Sequence, residues 1–326
     1  MGEFIKRNVF GAASLSLLLL TLLWLAAAYF ESAVFRWHEP LLRGLCIMGI
    51  AGLMTYMVGR FSLYKERSHW LMVCYVTLVG VTPFFAITSK AFPSAFLATL
   101  ALYFLLKFAN EQETRSCPFM VAICLTCASL LYYPALVLFV PFFISFLRIA
   151  AKLTIKDVAA FLGGVFVPLF FTVFFLWLLG YDLVATWEAS YQVFLKASFG
   201  VAFFEDSLAA LLLCGTLALF VLLALIKRLT TRTDTSKVTV SGFFEFLYMV
   251  LLVGVPVLLF YPTEIPSFSL FILMPVAFII TSFFSEMQNK KVRYFCLTLF
   301  VLVLGFYYAC LLSPLGIIVD TTLGRW

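Results

Sequence analysis

Apolar residues in this chain come in long runs broken by short polar stretches. The runs are about 17–25 residues long, the length an α-helix needs to cross the roughly 30 Å hydrocarbon layer of a bilayer. Read in order, they predict spans at about 11–30, 42–60, 70–88, 91–108, 119–133, 134–147, 161–180, 207–226, 244–260, 268–284 and 295–312. That makes about eleven, give or take one. The alternating segments of about ten residues that mark a membrane barrel are absent. The first run follows Lys6 and Arg7 and contains Ala26-Ala27-Ala28, as a secretory signal would. From Phe10 to Phe30 it exceeds the roughly 7–15 apolar residues of such a signal, so it reads as an uncleaved span. The stretch 119–147 is too long for one upright helix and short for two. Tyr132-Tyr133-Pro134 supplies a break, because proline removes a donor and clashes with the preceding turn.

Composition strengthens this picture. Hydrophobic residues make up 64% of the 326 and charged ones 12%, against about 45–50% apolar in soluble domains. The expected fold class is an all-α, polytopic helical membrane protein. No loop exceeds about 25 residues, so residues 1–326 read as a single integral membrane domain. Whatever it does happens within the bilayer or at its surfaces.

The net charge of +6 would suggest nucleic acid in a soluble protein. Here no basic stripe with interleaved aromatics supports that partner, and topology accounts for the charge. With the N-terminus in the cytoplasm, Arg36, Arg43, Lys90, Lys196 and Arg325 fall outside and the other seventeen of 22 basic residues inside. That bias is the positive-inside rule, and it predicts an N-in, C-out chain. Without the division at Pro134 every later loop would change sides. The outer acids are Glu31, Glu39, Asp182, Glu188, Glu205, Asp206, Glu264 and Asp320.

Much chemistry is excluded. Seven of the eight cysteines lie in apolar runs, and the Cys124/Cys127 pair has no histidine or second pair nearby to complete a zinc site. They read as ordinary buried thiols. His38 and His69 are assigned to opposite faces, so no metal site is expected. There is no phosphate-binding glycine loop, paired-histidine helix or nucleophile elbow, and no cofactor is implied. Charges deep in spans are nearly absent, which argues against an ion-coupled transporter or a channel.

What remains is at the outer surface. YFESAVFRWHEPLLRG, 29–44, concentrates Glu31, Arg36, His38, Glu39 and Arg43 in the first external loop. A carboxylate near a low-dielectric boundary can act as a base, and an arginine there can grip a phosphate with paired hydrogen bonds. The bland alternative is a wet loop with arginines reaching for headgroups. Lys90 stands in a very short turn, SKAFPS, and meets either a substrate phosphate or an ordinary headgroup. TWEASYQVFLKAS, 186–198, sets Trp187, Tyr191, Phe194 and Leu195 on one helical face and Glu188, Gln192 and Lys196 on another. It predicts a helix lying in the outer interface. FYPTEIPSF, 260–268, reads as a stiff proline turn carrying Glu264, a faint echo of the Tyr-Tyr-Pro turn.

Two resemblances add to this. Residues 129–171 combine an apolar Tyr-Pro hairpin, a basic turn and a span with Gly164 four positions before Pro168. They resemble an uncharacterised family of bacterial inner-membrane proteins, a domain of unknown function. The likeness implies a multi-pass protein of the bacterial plasma membrane and carries no activity. More distantly, the order of parts over about 10–206 is similar to GT-C-type glycosyltransferases, which take sugars from polyprenyl-phosphate carriers. That likeness implies a GT-C-like arrangement with Glu31 or Glu39 as catalytic base. Arg36, Arg43 and Lys90 would stabilise the departing phosphate, and Trp187, Glu188 and Tyr191 would line the substrate cavity. The adjacent Asp-Glu pair common in that group is missing here. The alternatives are a non-catalytic subunit or scaffold of an envelope complex, with a protein partner, and third a lipid flippase or permease.

Overall fold

The computed structural model describes residues 38–64, 70–81, 88–110, 116–149, 154–182, 185, 188, 208–230, 238–261, 264–287 and 290–312. Every regular element among them is helical. In chain order these are α1 (His38–Phe61), α2 (Trp70–Val81), α3 (Ala91–Asn110), α4 (Ser116–Leu131), a 3₁₀ turn (Tyr133–Leu138) and α5 (Phe139–Ile149). There follow α6 (Ile155–Leu178), α7 (Leu208–Thr230), α8 (Val238–Phe260), α9 (Ile265–Ser285) and α10 (Lys290–Leu312). Among the described residues six segments are long and apolar enough to cross a membrane: Leu42–Phe61, Ala91–Asn110, Ile155–Leu178, Leu212–Thr230, Val240–Phe260 and Ile265–Ser285. The chain is a helical membrane protein. The span expected at 11–30 lies outside the described residues, and Trp70–Gly80, Ser116–Leu131 and Tyr133–Arg148 are shorter apolar helices.

Several helices begin before their apolar run does. α6, α8 and α10 start at Ile155, Val238 and Lys290, five or six residues ahead of the spans read from sequence. Hydropathy marks the stretch that lipid requires to be apolar, whereas backbone hydrogen bonds continue into polar surroundings. α1 likewise begins at His38, so His38 and Glu39 are in a helical first turn and not in the expected loop. Pro40 is tolerated there because first-turn N–H groups have no intrahelical acceptor.

The ends of α6 show how local sequence sets its limits. Thr154 is extended (φ −102°, ψ 155°) and its hydroxyl accepts from the Asp157 backbone N–H. The Asp157 carboxylate in turn accepts from the Thr154 backbone N–H at 2.9 Å and hydroxyl at 2.6 Å. This capping box satisfies donors that the first turn leaves open. At the other end Gly180 adopts φ +76°. The Gly180 N–H donates to the Trp177 carbonyl and the Tyr181 N–H to the Leu176 carbonyl, both at 3.0 Å, the paired closure that glycine permits at low strain. Thr154→Ala should cost about 1 kcal/mol and speed amide exchange in the first turn of α6 while leaving the Gly180 end unchanged.

The chain forms two compact units. The first holds α1, α2, α7, α10 and α9 from Ile272 onward. In it Phe220 of α7, nearly inaccessible, packs edge-on against Phe284 and Phe300 at 5.6 and 5.9 Å. The Tyr64 hydroxyl donates to the Phe278 carbonyl at 3.0 Å. Burial pushes that phenol well above its ordinary range, with smaller contributions from Cys74 and Glu286, so it remains a donor. Lys227 pairs with Glu286 at 3.9 Å and lies 5.6 Å from the Phe283 ring.

The second unit holds α3 to α6, α8 and α9 up to Phe271. Helix directions follow from its contacts. At one end Phe146 of α5 stacks on Phe108 of α3 (5.5 Å) and on Phe161 of α6 (5.4 Å). Gly164 of α6 abuts Phe119 and Ala122 near the start of α4, and Arg148 meets Glu245 of α8 at 3.4 Å. So α3 and α5 finish where α4, α6 and α8 begin. The predicted break falls in place: α4 ends at Leu131, Tyr132 is extended (φ −140°, ψ 101°), and Pro134 is the second residue of the 3₁₀ turn. A 3₁₀ turn rises about 2.0 Å per residue against 1.5 Å for α. The return segment therefore covers about 28 Å, close to the reach of a full α-helical span.

Candidate functional site

The opposite end of the second unit gathers its polar groups around the break. Lys90 is exposed in the turn that precedes α3. One turn into α3, the buried Ser94 hydroxyl donates to the Ala128 carbonyl at 2.7 Å. That carbonyl also accepts from the Tyr132 backbone N–H at 3.0 Å. It thereby ties the start of α3 to the end of α4, where intrahelical donors for the carbonyls are running out.

Tyr132 is 6% exposed, and two partners set its direction. Its ring lies nearly parallel to Phe271 of α9 (5° between planes, centroids 5.8 Å apart). Its hydroxyl donates to Glu264 Oε2 at 2.8 Å. Ser267, buried on the first turn of α9, also hydrogen-bonds the Tyr132 side chain. Glu264 immediately precedes Ile265, the first residue of α9, and is half-buried. It therefore sits beside the first-turn N–H groups of α9, which have no intrahelical acceptor. The two proline turns that only echoed one another in sequence are thus joined by a hydrogen bond between residues 132 positions apart.

The residues singled out from sequence are distributed differently. Glu31, Arg36, Trp187 and Tyr191 lie outside the described residues, as does most of the interfacial helix expected at 186–198. Glu39 has only its backbone described, in the first turn of α1; Arg43, one turn later, is half-buried. Lys90 and Glu188 are both exposed, and among the described residues no ion pair joins them. In the sequence Tyr132 reads only as part of a helix break and Ser94 only as part of a short turn, because each stands inside or beside an apolar run. The available signal was the pair of Tyr-Pro turns, one carrying an acid.

Among the described residues no three histidine, cysteine or acidic side chains gather as a metal site would require. Cys124 and Cys127 are free thiols on α4. The ion pair Arg148–Glu245, with side chains 62% and 44% exposed, contributes at most about 1 kcal/mol and marks the other end of the unit.

Residues 8–315 match the sequence profile of a family of unknown function, DUF6427, and the chain belongs to that family. No curated protein and no solved structure matches it.

Proposed function

We propose that this chain, a helical membrane protein of that family of unknown function, handles a lipid-linked substrate at one face of the bilayer. Its class of reaction is transfer of a sugar from a polyprenyl-phosphate carrier. The observation that carries the reading is the polar end of the second unit. An exposed cation, Lys90, and a carboxylate, Glu264, stand at the same end of an apolar helical unit. The adjoining α6 keeps Phe166, Phe170 and Phe174 exposed. A phosphate headgroup beside a lysine and an apolar tail beside exposed rings suit an amphiphile. Glu31 or Glu39 would serve as the base on the acceptor hydroxyl, with Arg36 and Arg43 adding charge for the departing phosphate. Trp187, Glu188 and Tyr191 would line the sugar site. The likeness to GT-C enzymes rests on sequence order alone.

The N-in, C-out topology with about eleven spans belongs to the same proposal, as does residence in a bacterial plasma membrane. Three contacts support the topology. Arg148 with Glu245, Lys227 with Glu286 and Tyr132 with Glu264 each join residues that the charge pattern assigns to one side.

Replacing Glu31 and Glu39 singly by glutamine should cut transfer of labelled sugar from carrier lipid by about 100-fold or more in one of the two. Both proteins should still be recovered folded from membranes. Full transfer in both variants would remove the base and, with it, the enzymatic reading. The second reading, a non-catalytic subunit of an envelope complex, is favoured by α6, of whose apolar window only 11% is buried. A stable protein partner that leaves when Phe170 and Phe174 become alanine would support it.

A further inference from the structure

The Tyr132–Glu264 pair is more than a lock needs. A glutamine at 264 would accept the same O–H through its amide oxygen, with nearly the same shape and no charge to desolvate. The carboxylate instead sits half-buried against a ring that is 6% exposed. It does so in a chain only 12% charged. Stacking on Phe271 restrains the tyrosine ring, so the hydroxyl approaches Oε2 from a set direction, and among the described residues the hydrogen bond to this carboxylate falls on Oε2. The same end of the unit carries exposed Lys90.

We propose that Glu264 is a ligand-binding carboxylate that accepts hydrogen bonds from the hydroxyls of a sugar headgroup, and that Tyr132 is its positioning residue. This rests on the lipid-linked sugar reading above and adds the group that recognises the sugar, as distinct from the phosphate. Lys90 answers to the phosphate, which any polyprenyl phosphate carries. Glu264 answers only to the sugar.

The test is binding of two probes to the full-length protein in lipid nanodiscs: a short-chain polyprenyl phosphate, and the same lipid bearing one hexose. Glu264→Gln should weaken the hexose-bearing probe about tenfold or more, the loss of a hydrogen bond to a charged group. It should leave the sugar-free probe and the unfolding midpoint unchanged. Tyr132→Phe should weaken the same probe less, since the carboxylate remains but its direction is lost. Lys90→Ala should weaken both probes alike.

If Glu264→Gln binds both probes as the wild type does, the sugar assignment fails while the lipid-phosphate reading stands. If it instead unfolds readily, the carboxylate is a structural lock and the assignment also fails. If the wild-type protein binds neither probe, the reading of the substrate falls and takes this inference with it.

Discussion

Alanine in place of Phe146 should destabilise the second unit by about 3 kcal/mol, near the low end of values for deleting a buried phenylalanine. Phe146 is fully inaccessible and lies between Phe108 and Phe161, with centroids at 5.5 and 5.4 Å. In water the loss would combine a transfer term and a cavity term. In a bilayer lipid tails are as apolar as the core, so the transfer term shrinks and lost packing dominates. That argument places the expected value toward the bottom of the range. Phe170→Ala is the matched control: it is 52% exposed and should change stability by about 0.5 kcal/mol or less. Denaturant titration in mixed micelles measures both. Equal effects at the two sites would mean that the three-ring stack does not hold these helices together.

The second large effect should come from Gly164→Ala, at about 1–3 kcal/mol destabilising. A Cβ there would run into the Phe119 carbonyl oxygen and stand 2.8 Å from the Ala122 side chain. The obstruction is backbone, so no side-chain rotation relieves it, and α4 and α6 would have to separate. Small residues let membrane helices approach this closely, and packing is what holds them. Gly163→Ala should have the opposite sign. Among the described residues its Cβ would meet the Phe119 ring at 3.9 Å, an ordinary contact, and alanine is favoured over glycine inside a helix by about 1 kcal/mol. Neighbouring glycines with opposite responses would place the α4–α6 contact on the face that Gly164 presents. Destabilisation by both would mean that helix propensity and spacing act together.

The helical class and the break at Tyr132-Tyr133-Pro134 were legible in the sequence because each has a local cause. Lipid demands apolar runs, and proline ends a helix wherever it falls in mid-run. Gly164 was legible as part of a Gly-x-x-x-Pro pattern but not as a contact. The early starts of α6, α8 and α10 were hidden because hydropathy reports on the surroundings of a helix and not on its hydrogen bonds. Of the site, Lys90 stood out as a lone cation in a short turn. Tyr132 did not, since a tyrosine at the end of an apolar run looks like any other interfacial ring.

By itself the sequence determined that this chain is a helical membrane protein, where its helices are interrupted, and which few charged residues are available for chemistry. All of these follow from the match between residue type and solvent along one dimension. Only the tertiary structure decided which equally apolar helix lies inside. α9 is buried over 83% of its apolar window and α6 over 11%. When lipid and protein are both apolar, hydropathy cannot tell one neighbour from the other. It also decided that Glu264 belongs with Tyr132, because that hydrogen bond joins residues 132 positions apart and leaves no periodic trace in the chain.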